Sequence, residues 1–243
     1  MTGWSIGFGR EVDTVVGVDY SELSSPTAGL GIVIGAPSHL GPARPRLGDD
    51  DLIAVDAHLL CLGAYHRAGW AGTDSRTWLR PAIAERLVLI EGTLPDGFGL
   101  AIFDGWRSDE TVRALYDHYY GPGSTLAPGY LAPPSDDPSA PPPPHLTGAA
   151  VDLTLSWHGA PLSLGTPYDE FSERAHLDAL DGVPDDHPDA LDRDLRRLLH
   201  RTMTAGGFAP YDQEWWHYSW GDDAWATWSG EPAALYGATS PSR

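Results

Sequence analysis

Two short runs of the sequence contain residue types that together could bind a metal ion and move a proton. In one run His145 precedes Asp152, and in the other Glu214 precedes His217 by three positions. Neutral imidazoles and a carboxylate are good zinc ligands, and two histidines with one acid leave one tetrahedral position for a water molecule. Glu214 would then be free to take a proton from that water and deliver it to a leaving amine. This division of labour is typical of a zinc peptidase.

A purely structural interpretation of the same residues stays open at this point. His145 can cap the proline-rich loop that ends at Pro144, Asp152 can orient a turn, and the tryptophans beside His217 can belong to the core. Short patterns of histidine and acid also occur by chance, so their spacing alone does not decide between the two interpretations.

The elements that must position these residues are mostly strands. Alternating apolar residues predict a strand from Ala149 to Trp157, with Asp152 on its polar face. The aromatic-rich stretch that begins at Glu214 predicts a second strand. Residues three apart on an ideal strand face opposite sides, so Glu214 and His217 converge only if the backbone bulges. We therefore predict a local irregularity at Trp215-Trp216.

The remaining pattern predicts an α+β fold. Pro81 favours the start of a helix that runs to about Gly92, and Ser108 fits the N-cap of a second helix that ends near Gly121. A third helix has leucines on one side and ends at Gly206. Because the first helices precede strands that are separated by loops, we expect a central antiparallel sheet flanked by helices.

Length and composition suit a large globular domain. With 243 residues and 42% hydrophobic residues, the chain can bury a sizeable core without disulfide bonds. Residues 1–50 are rich in Gly, Ser and Pro, and we expect an irregular N-terminal extension there, packed on a catalytic domain formed by residues 51–243.

Charge and cysteine content limit the partners and the compartment. The formal net charge of −19 repels phosphate backbones and anionic lipid headgroups, so neither nucleic acid nor a membrane surface is expected as a partner. Cys61 is the single cysteine and cannot form an internal disulfide, and no secretory signal is visible. We therefore expect a cytoplasmic protein that acts on a small substrate, with homo-oligomerisation left open.

Four blocks of the sequence, taken in order, resemble one known family. The blocks are Asp104-Gly105-Trp106-Arg107, the run from His145 to Asp152 with Gly148 and Ala150 inside it, the run from Gly165 to Phe171, and Glu214-Trp215-Trp216-His217-Tyr218. They resemble the VanX-type D-alanyl-D-alanine dipeptidases of peptidase family M15, a zinc D,D-peptidase group that includes hedgehog-like domains. The resemblance implies the zinc D,D-peptidase (hedgehog/D,D-peptidase-like) fold.

The resemblance also implies a metal centre and a catalytic pair. One zinc ion per chain would be bound by His145, Asp152 and His217. Glu214 would be the general base and acid. Arg107 would stabilise the oxyanion that forms when water attacks the amide carbonyl, a role that suits a permanently charged, forked guanidinium.

The substrate implied by the resemblance is a small dipeptide of the D-Ala-D-Ala type. Asp169 would receive its free ammonium group, and Tyr65 would line the pocket for that end. Pro143, however, stands where the family has a serine whose hydroxyl helps to bind the amino end, and Trp106 stands where the family has a tyrosine. The alternatives are therefore a related peptidase or amidase that acts on another dipeptide or amide metabolite, and a non-catalytic metal-bearing binding module.

Overall fold

A six-stranded sheet organises the computed structural model, which describes residues 51–137 and 139–242. The strands are β1 (Ile53–Ala54), β2 (Leu60–Cys61), β3 (Trp78–Leu79), β4 (Phe98–Asp104), β5 (Ala150–Trp157), β6 (Ala160–Pro161), β7 (Ala209–Tyr211) and β8 (Glu214–Ser219). The helices are α1 (Ala64–Arg67), α2 (Pro81–Glu91), α3 (Asp109–Tyr120), α4 (Ala190–Ala205) and α5 (Asp223–Ser229). The predicted extension of residues 1–50 lies outside the described residues.

The sheet is mixed, which corrects the expectation of a purely antiparallel one. Its strands lie in the order β2-β4-β5-β8-β7, β6 pairs with the end of β5, and β1 and β3 form a separate pair. Only the β2–β4 pair of this sheet runs parallel, with Leu60 opposite Ala101 and Cys61 opposite Ile102. Parallel neighbours need a long crossover connection, and α1, β3 and α2 supply it between β2 and β4. The specific fold name stays a prediction.

The helices begin where the sequence indicates. Pro81 occupies the first turn of α2, where its missing N–H has no partner to lose. Ser108 caps α3, because its Oγ accepts a hydrogen bond from the backbone N–H of Thr111 at 3.1 Å. Asp222 caps α5 in the same way through the N–H of Trp225 at 2.9 Å. In the part of the chain that is described, no helix has the length and apolar character needed to cross a bilayer.

Strand β5 lies in the middle of the sheet and is buried on both faces from Ala150 to Ser156. The polar residues of this strand are therefore paired inside the protein. Thr154, for example, donates from its Oγ1 to the carbonyl oxygen of Leu162 at 2.8 Å. Because an unpaired polar group costs free energy in such a place, each buried polar residue of β5 needs a defined partner. Asp152 is one of them.

Two irregularities flank Asp152. On one side β4 contains an extra residue, since Ile102 pairs with Leu153 whereas Asp104 pairs with Asp152. Phe103 forms the resulting bulge, which places Asp104 directly beside Asp152.

On the other side the pairing of β7 with β8 shifts. Pro210 pairs with Tyr218, but the next residue, Tyr211, pairs with Glu214. The intervening residues of β8, 215–217, have no partner in the β7 ladder, and Trp215 and Trp216 are buried. The irregularity predicted at Trp215-Trp216 is confirmed.

Candidate metal centre and active site

Three side chains from separate parts of the chain converge on one point. The Nε2 atom of His145, the Nδ1 atom of His217 and the Oδ1 atom of Asp152 lie 3.0 to 3.2 Å from one another. His145 belongs to a short 3-10 turn, Pro144–Thr147, whereas Asp152 and His217 face each other across the β5–β8 ladder. All three side chains are buried.

The outer partners of the histidines decide which ring nitrogens carry protons. Nδ1 of His145 lies 2.7 Å from the carbonyl oxygen of Gly105, which can only accept, so the proton belongs on Nδ1. Nε2 of His217 lies 3.4 Å from Oγ of Ser219, a hydroxyl that can accept a hydrogen bond from a protonated Nε2. The inward-facing nitrogens of both neutral rings then present lone pairs.

Asp152 points one oxygen at the histidines and uses the other elsewhere. Its Oδ2 accepts from the hydroxyl of Tyr168 at 2.8 Å and from Nη2 of Arg107 at 3.2 Å. Burial acts to raise the pKa of Asp152, but the favourable electrostatic contact with His145 and His217 outweighs burial and holds this pKa well below its usual range. The carboxylate is therefore an anion with a free Oδ1.

This arrangement fits a divalent cation. Three lone-pair donors converge with no proton assigned between them, which is unfavourable unless a positive charge lies among them. Ligand atoms about 2.0 to 2.1 Å from a tetrahedral zinc ion would be separated by about 3.3 Å, close to the observed separations. The donor set of two imidazoles and a carboxylate also suits zinc, and it leaves a further position open.

Arg107 lies beside this cluster and is held on three sides. Its Nε donates to Oδ2 of Asp104 at 2.9 Å, and its Nη2 donates to the hydroxyl of Tyr65 at 3.3 Å as well as to Asp152. The guanidinium also lies over the Tyr65 ring, with its Cζ atom 4.6 Å from the ring centroid. These contacts fix a buried positive charge next to the candidate metal site.

Tyr65 and Asp169 form the next step of a hydrogen-bonded chain. The Tyr65 hydroxyl accepts from Arg107 and donates to Oδ1 of Asp169 at 3.1 Å. The Oδ2 atom of Asp169 is buried and finds no hydrogen-bond partner among the described residues. Burial, partly offset by the charge of Arg107, raises the pKa of Asp169 to about 7. An incoming ammonium group would satisfy this carboxylate.

Glu214 is the first residue of β8, is buried, and lines a cavity together with the three candidate metal ligands. Burial raises its pKa well above the usual range, and the negative charges of Asp152 and Asp169 add to this effect, while Arg107 opposes it. A carboxyl group with a raised pKa can both accept and return a proton near neutral pH.

These side chains line one cavity of about 200 Å³. One part of its wall carries the polar groups described above, together with Pro143. The remaining wall is apolar or aromatic and includes Val112, Leu115, Tyr130, Leu131, Pro210 and Tyr211. The cavity thus offers charged groups near the metal donors and an apolar surface beyond them.

All seven residues singled out in the sequence line this cavity: Tyr65, Arg107, His145, Asp152, Asp169, Glu214 and His217. Sequence reasoning missed four supporting groups, which are the hydroxyl of Tyr168, the carboxylate of Asp104, the carbonyl of Gly105 and the hydroxyl of Ser219. The first three belong to residues inside the four sequence blocks. The blocks indicated that these residues matter, but they did not predict which atoms they contact. Nothing in the sequence marked Ser219, because its contact is with the Nε2 atom of His217 and depends on how that ring is oriented.

Comparisons with known proteins point to one family. The family model of peptidase M15, described as D-ala-D-ala dipeptidase, matches residues 75–231. A D-alanyl-D-alanine dipeptidase from Synechocystis sp. is 30% identical over 176 residues, which is 61% of this chain and 71% of that protein. The enzyme of that name from Streptomyces coelicolor is 35% identical over 141 residues, or 51% of this chain and 62% of that protein. The Escherichia coli protein of that name is 41% identical over 75 residues, or 30% of this chain and 36% of that protein.

The family match includes six of these seven residues; Tyr65 lies ten positions before the first matched residue. Because the match covers well over half of the chain, the chain belongs to the peptidase M15 family of D-alanyl-D-alanine dipeptidases and is a metal-dependent peptidase of that family.

Proposed function

We propose that this protein hydrolyses a small dipeptide of the D-Ala-D-Ala type with the help of one zinc ion. The observation that carries the proposal is the convergence of His145, Asp152 and His217 in a cavity that Glu214 and Arg107 also line. A metal site alone would fit a binding module. A buried carboxyl group with a raised pKa and a fixed guanidinium beside that site are the additional groups that amide hydrolysis needs.

The order of the strands supports one orientation of the substrate in the site. Tyr65 follows β2, Arg107 follows β4, and Asp152 lies on β5, while Glu214 and His217 lie on β8. The amino end of a dipeptide would therefore lie toward β2. Its leaving amine would lie toward β8 and the apolar wall at β7.

The amino end would bind to Asp169. Its Oδ2 is buried and its Oδ1 is held by Tyr65, so the carboxylate is already oriented for an ammonium group. The resulting ion pair would fix the dipeptide so that its amide carbonyl faces Arg107. This arrangement favours a peptide with a free amino end over one whose amino end is blocked.

Bond cleavage requires a base, an acid and a stabilised oxyanion. A zinc ion held by His145, Asp152 and His217 would supply Lewis acidity toward water and the amide carbonyl. A carboxylate oxygen of Glu214 takes one proton from the attacking water as the C–O bond forms. The same oxygen returns that proton to the amide nitrogen as the C–N bond breaks, so the products are a carboxylic acid and an amine.

Arg107 would stabilise the negative charge that develops on the carbonyl oxygen. Its Nη2 already lies 3.2 Å from the Asp152 carboxylate, so the guanidinium is close to where this charge would form. Because Asp104 and Tyr65 hold the side chain in place before substrate arrives, little reorganisation is needed during the reaction.

A second candidate substrate class is a different dipeptide or a related amide. Pro143 lines the cavity and has no hydroxyl to offer to an amino end. The apolar wall that includes Tyr130 and Tyr211 also provides more contact surface than a methyl side chain covers. The apolar wall would suit a larger residue after the scissile bond, whereas Pro143 would weaken recognition of the amino end. Cytoplasmic location and homo-oligomerisation stay predictions.

The test uses the purified zinc-loaded protein with D-Ala-D-Ala and a panel of L- and D-dipeptides that vary the second residue. We expect release of a free amino acid from at least one of them. Glu214→Gln should lower kcat by about 100-fold or more and retain zinc, since it removes only the proton-transferring group. Glu85→Gln, at an exposed position of α2, is the control and should match the unmodified protein. Zinc-loaded protein that hydrolyses none of the panel, or full activity in Glu214→Gln, would overturn the proposal.

A further inference from the structure

The segment that follows α5 runs back toward the backbone next to Arg107 and His145. The backbone N–H groups of Leu235 and Tyr236 donate to the carbonyl oxygen of Gly221 at 2.7 and 3.0 Å. Tyr236 is buried, and the guanidinium of Arg80 lies over its ring at 4.7 Å. Arg80 also donates to the carbonyl oxygen of Gly237 at 3.1 Å. The segment therefore has a fixed path.

Two hydrogen bonds of Thr239 then connect residues that neighbour the site. The indole Nε1 of Trp106 donates to the carbonyl oxygen of Thr239 at 2.8 Å. The backbone N–H of Thr239 donates to the carbonyl oxygen of Leu146 at 3.0 Å. Trp106 directly precedes Arg107, and Leu146 directly follows His145. Thr239 thus bridges the two backbone stretches that carry these site residues.

The same two stretches also meet inside the site. The backbone N–H of Arg107 donates to the carbonyl oxygen of His145 at 3.2 Å, and Nδ1 of His145 bonds to the carbonyl of Gly105 at 2.7 Å. The bridge through Thr239 closes a ring of hydrogen bonds around this junction. A closed ring holds the separation of the two stretches more tightly than the inner bonds alone.

We propose that Thr239 and the Trp106 indole are positioning residues that fix Arg107 relative to His145. This inference rests on the proposed function for the roles of those two site residues. Thr239 lies beyond residue 231, where the family match ends, so the family model does not account for the bridge. A tyrosine at position 106 would lack the indole N–H that makes the bond.

Loss of the bridge should affect turnover more than substrate binding. A displacement of about 1 Å between catalytic groups can lower a rate by about 100-fold. Asp169, which would bind the amino end, lies on a different segment of the chain, so KM should change little. Metal affinity should also fall, because the carbonyl of Gly105 orients His145 from the stretch that Trp106 anchors.

The experiment compares a chain that stops at Ala238 with a control chain that stops at Pro241 and keeps the bridge. A full-length Trp106→Phe variant removes the indole N–H and keeps an aromatic ring. For the shorter chain and for Trp106→Phe we expect kcat to fall by about 10-fold or more, a change in KM of less than about 3-fold, and zinc affinity, measured by competition with a chelator, to fall by about 10-fold.

Values of kcat and zinc affinity within twofold of the control chain would overturn the inference. So would a fall in the unfolding temperature alone, with both values unchanged well below that temperature. If the chain that stops at Ala238 does not fold, Trp106→Phe decides by the same two readouts. If the control chain and both variants hydrolyse no dipeptide, the proposed function is wrong. Zinc affinity then decides the inference about Thr239 by itself: a fall of about 10-fold supports it, and an unchanged affinity overturns it.

Discussion

Arg107 donates to Oδ2 of Asp152 at 3.2 Å, while Oδ1 of the same carboxylate lies 3.0 Å from Nδ1 of His217. One carboxylate therefore connects the guanidinium to the cluster of metal-ligand donors. A change at Arg107 should reach the metal site through Asp152, and a change at Asp152 should disturb both.

Replacement of His145 should remove the metal. In His145→Ala only Asp152 and His217 are left as donors, and we expect zinc affinity to fall by more than about 100-fold, with loss of hydrolysis. Zinc content after dialysis against a weak chelator measures the effect. His187→Ala, at an exposed position before α4, should keep its zinc. Full zinc occupancy in His145→Ala would show that the metal binds elsewhere.

Replacement of Arg107 by lysine should lower turnover although the charge is kept. A single ammonium cannot contact Asp104, Tyr65 and Asp152 together, so we expect kcat to fall by about 100-fold. Steady-state kinetics on the best dipeptide measure this. Arg113→Lys is the matched control, because Arg113 pairs with acids at the surface of α3 and such pairs contribute little. Equal kcat values in the two variants would contradict the proposed role.

Substrate binding should weaken as the pH falls through neutrality. Burial raises the pKa of Asp169 to about 7, so its carboxyl is charged above that pH and neutral below it. Only the charged form pairs with an ammonium group, and the α-amino group of a dipeptide is mostly protonated at and below about pH 7. KM should therefore rise as the pH falls from about 7 to about 6. The measurement is KM as a function of pH.

The matching variant is Asp169→Asn. Asp169 has a backbone φ of 60°, a conformation that asparagine also tolerates, so this variant should fold. Its KM should be high and should show a flatter pH dependence than that of the unmodified protein. An identical pH profile in both proteins would exclude Asp169 as the ammonium-binding group.

A serine at position 143 should improve binding of D-Ala-D-Ala. Pro143→Ser places a hydroxyl on the cavity wall, and one added hydrogen bond of about 0.5 to 1.5 kcal/mol should lower KM by about 2- to 10-fold. Pro142→Ser, one residue farther from His145, is the control and should leave KM unchanged. A KM that does not respond to Pro143→Ser would show that this wall does not contact the amino end.

The sequence allowed several of these features to be predicted because they depend on local constraints. Glu214 and His217 can serve one site only if β8 departs from strand geometry, and the shift between Pro210 and Tyr211 shows that it does. The helix starts at Pro81 and Ser108 also follow from the chemistry of single residues.

Other features depend on contacts between distant residues and carry no local signal. Strand β2 has only two residues, Leu60 and Cys61, so no periodicity marks it or its parallel pairing with β4. The bond between Trp106 and Thr239 joins residues 133 positions apart, and neither residue type predicts the other. Pairings of this kind are decided by the folded arrangement as a whole.

Along the chain, His217 lies 65 residues from Asp152 and 72 residues from His145. An unfolded chain would have to close long loops to assemble them, so the metal should bind the native state almost exclusively. Occupancy would then shift the folding equilibrium, by about 2.7 kcal/mol at a free metal concentration 100 times the Kd. A shortage of the metal would then lower the fraction of folded protein as well as the reaction rate.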